Sequence, residues 1–270
     1  MRAFANHFSF EFRTGLRDKS LLLLNYLFPL GLYAMLGLLM TDLNPEFVET
    51  MIPAMIVVAI LASTVLGLPN PLVSAREAGI YRSYRINGVP AISTLTIPAL
   101  TTVLHTAVVA AIIAATAPTL FGAPGPGSWL GLVLVFLVTA FACAGLGTLI
   151  GVISANTRAT ILWQQLIFLP SMLIGGLMLP SSMLPDALSR VGLLLPSTHA
   201  MGAFAGLAQG QTTTVAPLWS LLILLAGGVL SFGLAIYLFT WESASTRRRR
   251  HPVLALLALL PYAAAALLLA

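Results

Sequence analysis

Apolar residues in this chain fill long continuous runs and do not alternate with polar residues at short intervals. Six runs reach about 20 residues, the length that an α-helix needs to cross a bilayer core of roughly 30 Å. They cover residues 20–40, 50–69, 89–117, 129–154, 160–179 and 216–241. The pattern therefore predicts an all-α integral membrane protein with six spans and short connecting loops.

Residues 1–19, ahead of the first run, show a different pattern. Phe4, Phe8 and Phe12 recur at intervals of four, with polar and basic residues mainly on the other faces. An aromatic stripe with a basic polar side is typical of a helix that lies flat on a membrane surface. We therefore predict an N-terminal amphipathic interfacial helix, which is either a plain anchor or a contact for another protein.

Two further segments are apolar but irregular. Residues 180–211 contain two apolar pieces that are too short to span and are separated by Pro196. Apolar segments of about 10 to 14 residues are more often re-entrant, so we expect two extracellular half-helices that dip into the outer leaflet. An ordinary surface loop with amphipathic helices is the alternative. Residues 243–270 join a basic linker to an apolar tail, which predicts a seventh transmembrane helix or a membrane-surface helix.

Composition agrees with a membrane protein. Charged residues make up 8% of the 270 residues and hydrophobic residues 59%, whereas soluble domains are about 25% charged. With the N-terminus inside, every Lys and Arg of the 13 except Arg190 falls in segments on one side. Basic residues concentrate in cytoplasmic loops, so we predict a cytoplasmic N-terminus. The net charge of +5 therefore reflects topology, and no nucleic-acid partner is expected.

The stretch "SAREAGIYRSYRINGVP", between the second and third runs, is charged. Each charge would cost roughly 2.5–3.5 kcal/mol at the bilayer centre, so the loop must lie in water or against a protein. Its apolar residues have helical spacing, which predicts a short amphipathic cytoplasmic helix at about residues 74–88. Positive-inside charge without a partner is the alternative. That alternative leaves Glu77 and the kink expected at Gly79 unexplained.

The same stretch resembles the loop between spans two and three of type-2 ABC transporter permeases, the drug- and antibiotic-efflux-like exporters. Arg76, Glu77 and Gly79 match the start of that pattern and Pro90 matches its end. Five more residues fit the second landmark of these permeases, a glycine-rich end of span five followed by spaced prolines: Gly175, Gly176, Pro180, Pro185 and Pro196. The resemblance covers residues 2–242, and the apolar tail departs from it.

The resemblance implies an architecture and partners. Residues 20–242 would form a six-span ABC exporter permease bundle, whose coupling helix fits a groove on a separate ATP-hydrolysing subunit. The implied coupling residues are Arg76, Glu77, Gly79, Arg82 and Arg85. Two copies of the ABC ATPase, a second permease that is identical or related, and membrane lipids would be the partners in a bacterial plasma membrane.

The implied activity is ATP-driven export of a lipophilic or amphipathic solute, such as a drug, an antibiotic or a lipid. A permease for a polysaccharide or glycolipid is the alternative, since permeases of polymers share these landmarks. An ion-coupled carrier would need acidic residues inside its spans, whereas the Asp and Glu residues fall in loops or at span ends. An intramembrane enzyme would need paired catalytic groups, and no catalytic residue is predicted.

No cofactor is expected in this chain. It lacks the Gly-x-x-x-x-Gly-Lys-Ser/Thr loop that cradles nucleotide phosphates, and Lys19 is its single lysine. ATP and Mg would therefore be bound by the partner subunit. The four histidines and Cys143 have no ligand spacing, so no metal site is predicted.

Among the polar residues inside the predicted spans, four form a candidate translocation path: Asn25, His105, Gln164 and Gln165. Ionisable residues inside a membrane are candidates for function. His105 is either a neutral histidine bonded between helices, with nearby threonines as partners, or part of a proton relay. The amide side chains either line a cavity or bond across helices, and the sequence leaves both readings open.

Overall fold

The computed structural model describes residues 2–15, 17–178, 184–213, 215–241 and 252–268. The described residues form helices joined by short loops, and no β-strand occurs among them. The all-α prediction is therefore confirmed over this part of the chain.

The first long helix begins at Lys19 and ends at Leu43. Ahead of it lies α1 (Arg2–Gly15), and the long helix itself consists of α2 (Lys19–Leu22), a π-helical segment (Leu23–Leu27) and α3 (Phe28–Leu43). Asp18 caps its N-terminus, because the carboxylate accepts the Ser20 and Leu21 N–H groups at 2.8 and 3.1 Å. α1 and the first long helix are therefore separate helices.

The second membrane helix is the centre of the bundle. It consists of α4 (Pro45–Leu61), a π-helical segment (Ala62–Gly67) and α5 (Pro69–Glu77). Its side chains from Met51 to Val65 are buried on every face. A helix that is apolar all round fits such a position, because it has no face to offer to water.

Four helices continue the chain: α6 (Ile80–Ile86), α7 (Ala91–Phe121), α8 (Trp129–Ile153) and α9 (Thr157–Ile174). The Ser128 hydroxyl caps α8 by accepting the Gly131 N–H at 3.1 Å. Asn156 caps α9 in the same way, through the Ala159 N–H at 3.0 Å. The link between α8 and α9 is therefore only a few residues long.

The C-terminal third contains two short helices at a sharp angle. These are α10 (Asp186–Gly192) and α11 (Pro196–Ala203), the second of which continues as a π-helical segment (Phe204–Ala208). They are bent by 91° and lie in the segment for which two half-helices are predicted, residues 180–211. The bend has the geometry of either a broken span or a re-entrant loop.

The last described helices are α12 (Pro217–Leu238), a 3₁₀ helix (Pro252–Leu259) and α13 (Leu260–Leu268), and the last two pack against α12. Residues 242–251, with the four consecutive arginines of the predicted linker, lie outside the described residues. Among the residues that are described, five helices are long and apolar enough to cross a membrane, or six if α10 and α11 form one span.

The six-span count and the seventh span stay predictions. Residues 160–179 were expected to span, but α9 has 18 residues and is not among the five, since Arg158, Gln164 and Gln165 lower its hydropathy. The helical tail Pro252–Leu268 is shorter than the candidate spans. Multi-pass membrane character is nevertheless clear from the five long helices.

The loops of the described chain collect at two opposite ends. At one end Arg76 hydrogen-bonds the last turn of α8, and the Tyr81 and Phe239 rings, 5.4 Å apart, join the loop after span two to the end of α12. At the other end Gln209 donates from Nε2 to the Glu49 carbonyl at 3.2 Å.

Glycines let α8 approach its neighbours on two sides. Gly147 packs against the Thr64 carbonyl in the π-helical segment of span two, where a methyl group would collide. A methyl at Gly145 would lie 3.0 Å from the Gly228 carbonyl oxygen of α12. Small residues are typical of close helix contacts in membranes, and they hold α8 between span two and α12.

Candidate functional site

The charged stretch at residues 74–88 belongs to two helices, the end of span two (α5) and α6, and not to the single helix expected there. The break lies at Gly79, whose φ of 72° is left-handed and separates α5 from α6. The Gly79 N–H donates to the Arg76 carbonyl at 3.1 Å and ends α5. Nothing lies within 4 Å of a side chain added at Gly79, so the glycine is required by its backbone conformation.

The outer side of this helix pair combines charged and apolar groups. Glu77, Arg82 and Arg85 are exposed. Ile80 and Ile86, at the two ends of α6, are 44% and 77% exposed. Aliphatic side chains beside charges at an exposed corner form a surface suited to contact with another protein.

Arg76 lies apart from these residues, because its side chain is only 4% exposed. Its guanidinium points into the bundle and donates to three carbonyls at the end of α8: Gly151, Val152 and Ser154. The sequence grouped Arg76 with the coupling residues, whereas the structure gives its side chain contacts within the same chain.

Tyr81 anchors α6 to the bundle. It is buried, with its ring 6.2 Å from Tyr84 and 5.4 Å from Phe239. Burial raises the pKa of Tyr81, the Arg76 guanidinium lowers that pKa, and the Glu11 carboxylate raises it. Burial and Glu11 also raise the pKa of Tyr84, so α1 lies close to α6.

The aromatic stripe of α1 reaches the third span. Phe8 and Phe12 stack with centroids 6.2 Å apart, and Phe12 stacks on His105 at 4.5 Å and 11° between planes. Gly15 sits where a methyl group would lie 3.0 Å from His105 Nε2. The Phe4 side chain lies outside the described residues. The C-terminal part of the aromatic stripe therefore packs against the third span, and the amphipathic pattern of α1 alone did not predict this contact.

The partner of His105 is a tyrosine from span one. Its Nδ1 lies 2.7 Å from the Tyr26 hydroxyl. The sequence suggested threonines of the same span, but Thr106 bonds Ser63 at 2.5 Å and Thr101 bonds carbonyls of its own helix. No signal in a single sequence pairs residues 26 and 105, since the contact depends on how the spans pack.

Two other polar residues converge on the π-helical segment of span two. Gln164 donates from Nε2 to the Leu66 carbonyl at 2.8 Å, and Asn25 is buried beside Gly67. A π-helical turn displaces backbone carbonyls from the regular ladder, so an amide from a neighbouring helix can satisfy one. Gln164 thus bonds across helices, which was one of its two predicted roles. Gln165 is exposed and does not join them.

A cavity of about 560 Å³ opens at the end of the bundle opposite α6. Thr41, Glu49 and Gln211 supply its polar wall, and Val48 and Phe121 its apolar wall. Among the described residues, no group of three or more His, Cys, Asp or Glu side chains could hold a metal ion.

These features define a multi-pass membrane protein whose exposed charged groups lie at the ends of its long helices and in the short helices and links between them. Residues 35–237 match the model of the family described as ABC-2 family transporter protein. The match covers well over half of the chain, which therefore belongs to this family, and the predicted resemblance to type-2 ABC permeases is confirmed. Members of the family are membrane transport subunits that normally work with an ABC ATPase subunit. No curated protein and no solved structure matches the chain.

Proposed function

We propose that this chain is the permease subunit of an ATP-driven exporter, and that the helix pair α5–α6 docks on a separate ABC ATPase. The solute is lipophilic or amphipathic and leaves the cytoplasm or the inner leaflet. ATP and Mg bind to the partner subunit. The protein lies in a bacterial plasma membrane with its N-terminus and α6 on the cytoplasmic side, as the basic loops indicate.

The observation that supports this proposal most directly is the exposed end of the helix pair α5–α6, which we call the polar corner. Glu77, Arg82 and Arg85 are exposed at the end of the most buried span, and Ile80 and Ile86 of the same helix pair are exposed as well. Protein interfaces combine an apolar core with a polar rim. Because the corner continues directly from span two, a push on it reaches the centre of the bundle.

The charges of the corner suggest how it is recognised. Glu77 is an exposed carboxylate among arginines, so a basic residue of the ATPase would pair with it, and Arg82 and Arg85 would meet acidic residues or lipid phosphates. Glu11 lies near α6, as its effect on the pKa of Tyr84 indicates. The interfacial helix α1 would thus lie beside the docked subunit.

The apolar character of the bundle supports the proposed lipophilic or amphipathic solute. Asn25, His105 and Gln164 are buried among helices, and the exposed surfaces of the spans are largely apolar. A path that two permease copies form between such surfaces would accept an apolar or amphipathic solute rather than an ion. Of the four predicted path residues, Gln165 is exposed on α9, and we propose that it faces this path.

The test uses the Glu77→Ala variant, purified with an ABC ATPase from the same genome and reconstituted in liposomes. We expect normal membrane insertion and a loss of about tenfold or more in ATPase binding, because truncation at a charge pair weakens an interface strongly. Stimulation of ATP hydrolysis by a panel of lipophilic compounds should fall with it.

Asp42→Ala is the matched control, since it removes another exposed carboxylate at the opposite end of the bundle and should leave both measurements unchanged. ATPase binding and stimulation at the wild-type level in Glu77→Ala would refute the docking role of the corner. Solute movement by the chain without any ATPase would refute the whole proposal.

A further inference from the structure

The Arg76 guanidinium lies at the C-terminal end of α8. Its Nη1 donates to the Val152 carbonyl at 2.8 Å and to the Gly151 carbonyl at 3.4 Å, and its Nη2 donates to the Ser154 carbonyl. The chain leaves the helix at Ser154, where ψ is 129°. These carbonyls therefore lie where a helix has no further N–H groups to satisfy them.

The chemistry of this contact requires arginine. A buried charge is tolerated when it is hydrogen-bonded, and a cation at a helix C-terminus is stabilised by the helix dipole. Arginine presents several donors in a planar fork, whereas lysine is a compact point charge on a flexible stem. A lysine at this position would keep the charge but would not reach three carbonyls together.

The packing around Arg76 makes the contact stiff. A methyl group at Gly151 would lie 3.0 Å from the Leu72 side chain and 3.3 Å from the Pro69 Cα atom. One turn earlier Gly147 packs directly on the Thr64 carbonyl. Span two and α8 thus touch at backbone distance over successive turns, and close-packed contacts of this kind transmit displacement rather than absorb it.

We propose that Arg76 is a positioning residue that fixes α5 to the end of α8, so that the polar corner and α8 move as one body when the ATPase subunit closes. This inference rests on the proposed function. Glu77, Arg82 and Arg85 make the contact with the partner, and Arg76 passes the movement to α8. Because α8 lies between span two and α12, that movement reaches the core of the bundle.

The first measurement uses the permease alone in lipid nanodiscs. Hydrogen exchange is followed at the last turn of α8, where the Ser154 N–H donates to the Ile150 carbonyl at 3.0 Å. Arg76→Gln and Arg76→Lys should both raise exchange there on the order of tenfold, because the charged hydrogen bonds that hold the turn are lost. The control Arg82→Gln, at an exposed arginine of α6, should exchange as the wild type does.

The second measurement uses the complex with the ATPase, trapped with ATP, Mg and vanadate. In the wild type, trapping should change exchange at the last turn of α8. In Arg76→Lys the ATPase should still bind within about twofold of the wild type, as expected for a residue outside the interface, but the trapping-dependent change should disappear. If Arg76→Lys only made the permease less stable, ATPase binding would not be kept while the trapping-dependent change is lost.

The outcomes distinguish this inference from the proposed function. Wild-type exchange in both Arg76 variants, or a trapping-dependent change that persists in Arg76→Lys, would overturn the inference alone. ATPase binding that falls in Arg76→Lys as far as in Glu77→Ala would place Arg76 in the interface and would also overturn it. A wild-type chain that binds no ATPase would overturn the proposed function, while exchange in the permease alone would still show whether Arg76 holds α8.

Discussion

Replacing Gly147 by alanine tests the close contact on which the transmission of movement depends. An added methyl carbon would collide with the Thr64 carbonyl oxygen and would lie 2.9 Å from its carbonyl carbon, whereas ordinary contact begins near 3.4 Å. The obstacle is backbone in the buried π-helical segment, so no flexible side chain can move aside. Span two and α8 must therefore separate by about 1 Å, which forfeits up to about half of each dispersion contact along the seam.

The expected cost follows from two opposing effects. Overpacking a close contact costs about 1–3 kcal/mol, while alanine is favoured over glycine in a helix by up to about 1 kcal/mol. Gly147→Ala should therefore lower the free energy of unfolding by about 1–2 kcal/mol. Gly233→Ala in α12 is the matched control, because nothing lies within 4 Å of the added methyl, and it should be neutral or stabilising.

Both variants can be compared by unfolding in detergent micelles with increasing SDS, followed by tryptophan fluorescence. Co-purified ATPase should also be less stimulated by Gly147→Ala than by the wild type, because span two passes less movement to α8 when the two helices are further apart. Equal unfolding midpoints for Gly147→Ala, Gly233→Ala and the wild type would show that the two helices do not approach each other as described.

Two further predictions concern the tyrosines that join helices. Tyr26→Phe removes the 2.7 Å bond to His105 and should cost about 1–2 kcal/mol, seen as a lower melting temperature; an unchanged melting temperature would contradict the bond. Because burial raises the pKa of Tyr81 in the folded state above its ordinary value of 10.0, the phenol contributes stability below about pH 10 and that stability is lost as pH rises further. Tyr81→Phe should therefore unfold with a weaker dependence on pH from neutrality to about pH 11, and an identical dependence would contradict the burial of Tyr81.

Much of the fold could be predicted because the bilayer constrains it. A helix that crosses a membrane must satisfy its backbone internally and needs a long apolar run, so spans one to four and the last span were visible as runs. The span predicted at residues 160–179 is not among the five long apolar helices, because Arg158, Gln164 and Gln165 lower the mean hydropathy of α9. Gly79 marked a kink, but its left-handed φ of 72°, which divides the expected helix in two, depends on the backbone path.

The candidate site was predictable in kind but not in contacts. Charge is costly inside the bilayer, so the sequence predicted Glu77, Arg82 and Arg85 outside the apolar core, and all three side chains are exposed at the end of span two and on α6. The same reasoning put Arg76 with them. The structure buries Arg76 because the end of α8 offers unsatisfied carbonyls within reach of its guanidinium, and that proximity comes from the packing of span two on Gly147 and Gly151.

The sequence by itself determined that this is a multi-pass helical membrane protein and where its charged loops lie, because the energy of placing apolar and charged groups relative to a bilayer depends on residue type and run length. Only the tertiary structure decided which side chains meet across helices, such as Tyr26 with His105 and Arg76 with Val152. Those pairs depend on the rotation and separation of packed helices. Helices that are apolar on every face carry little information about either.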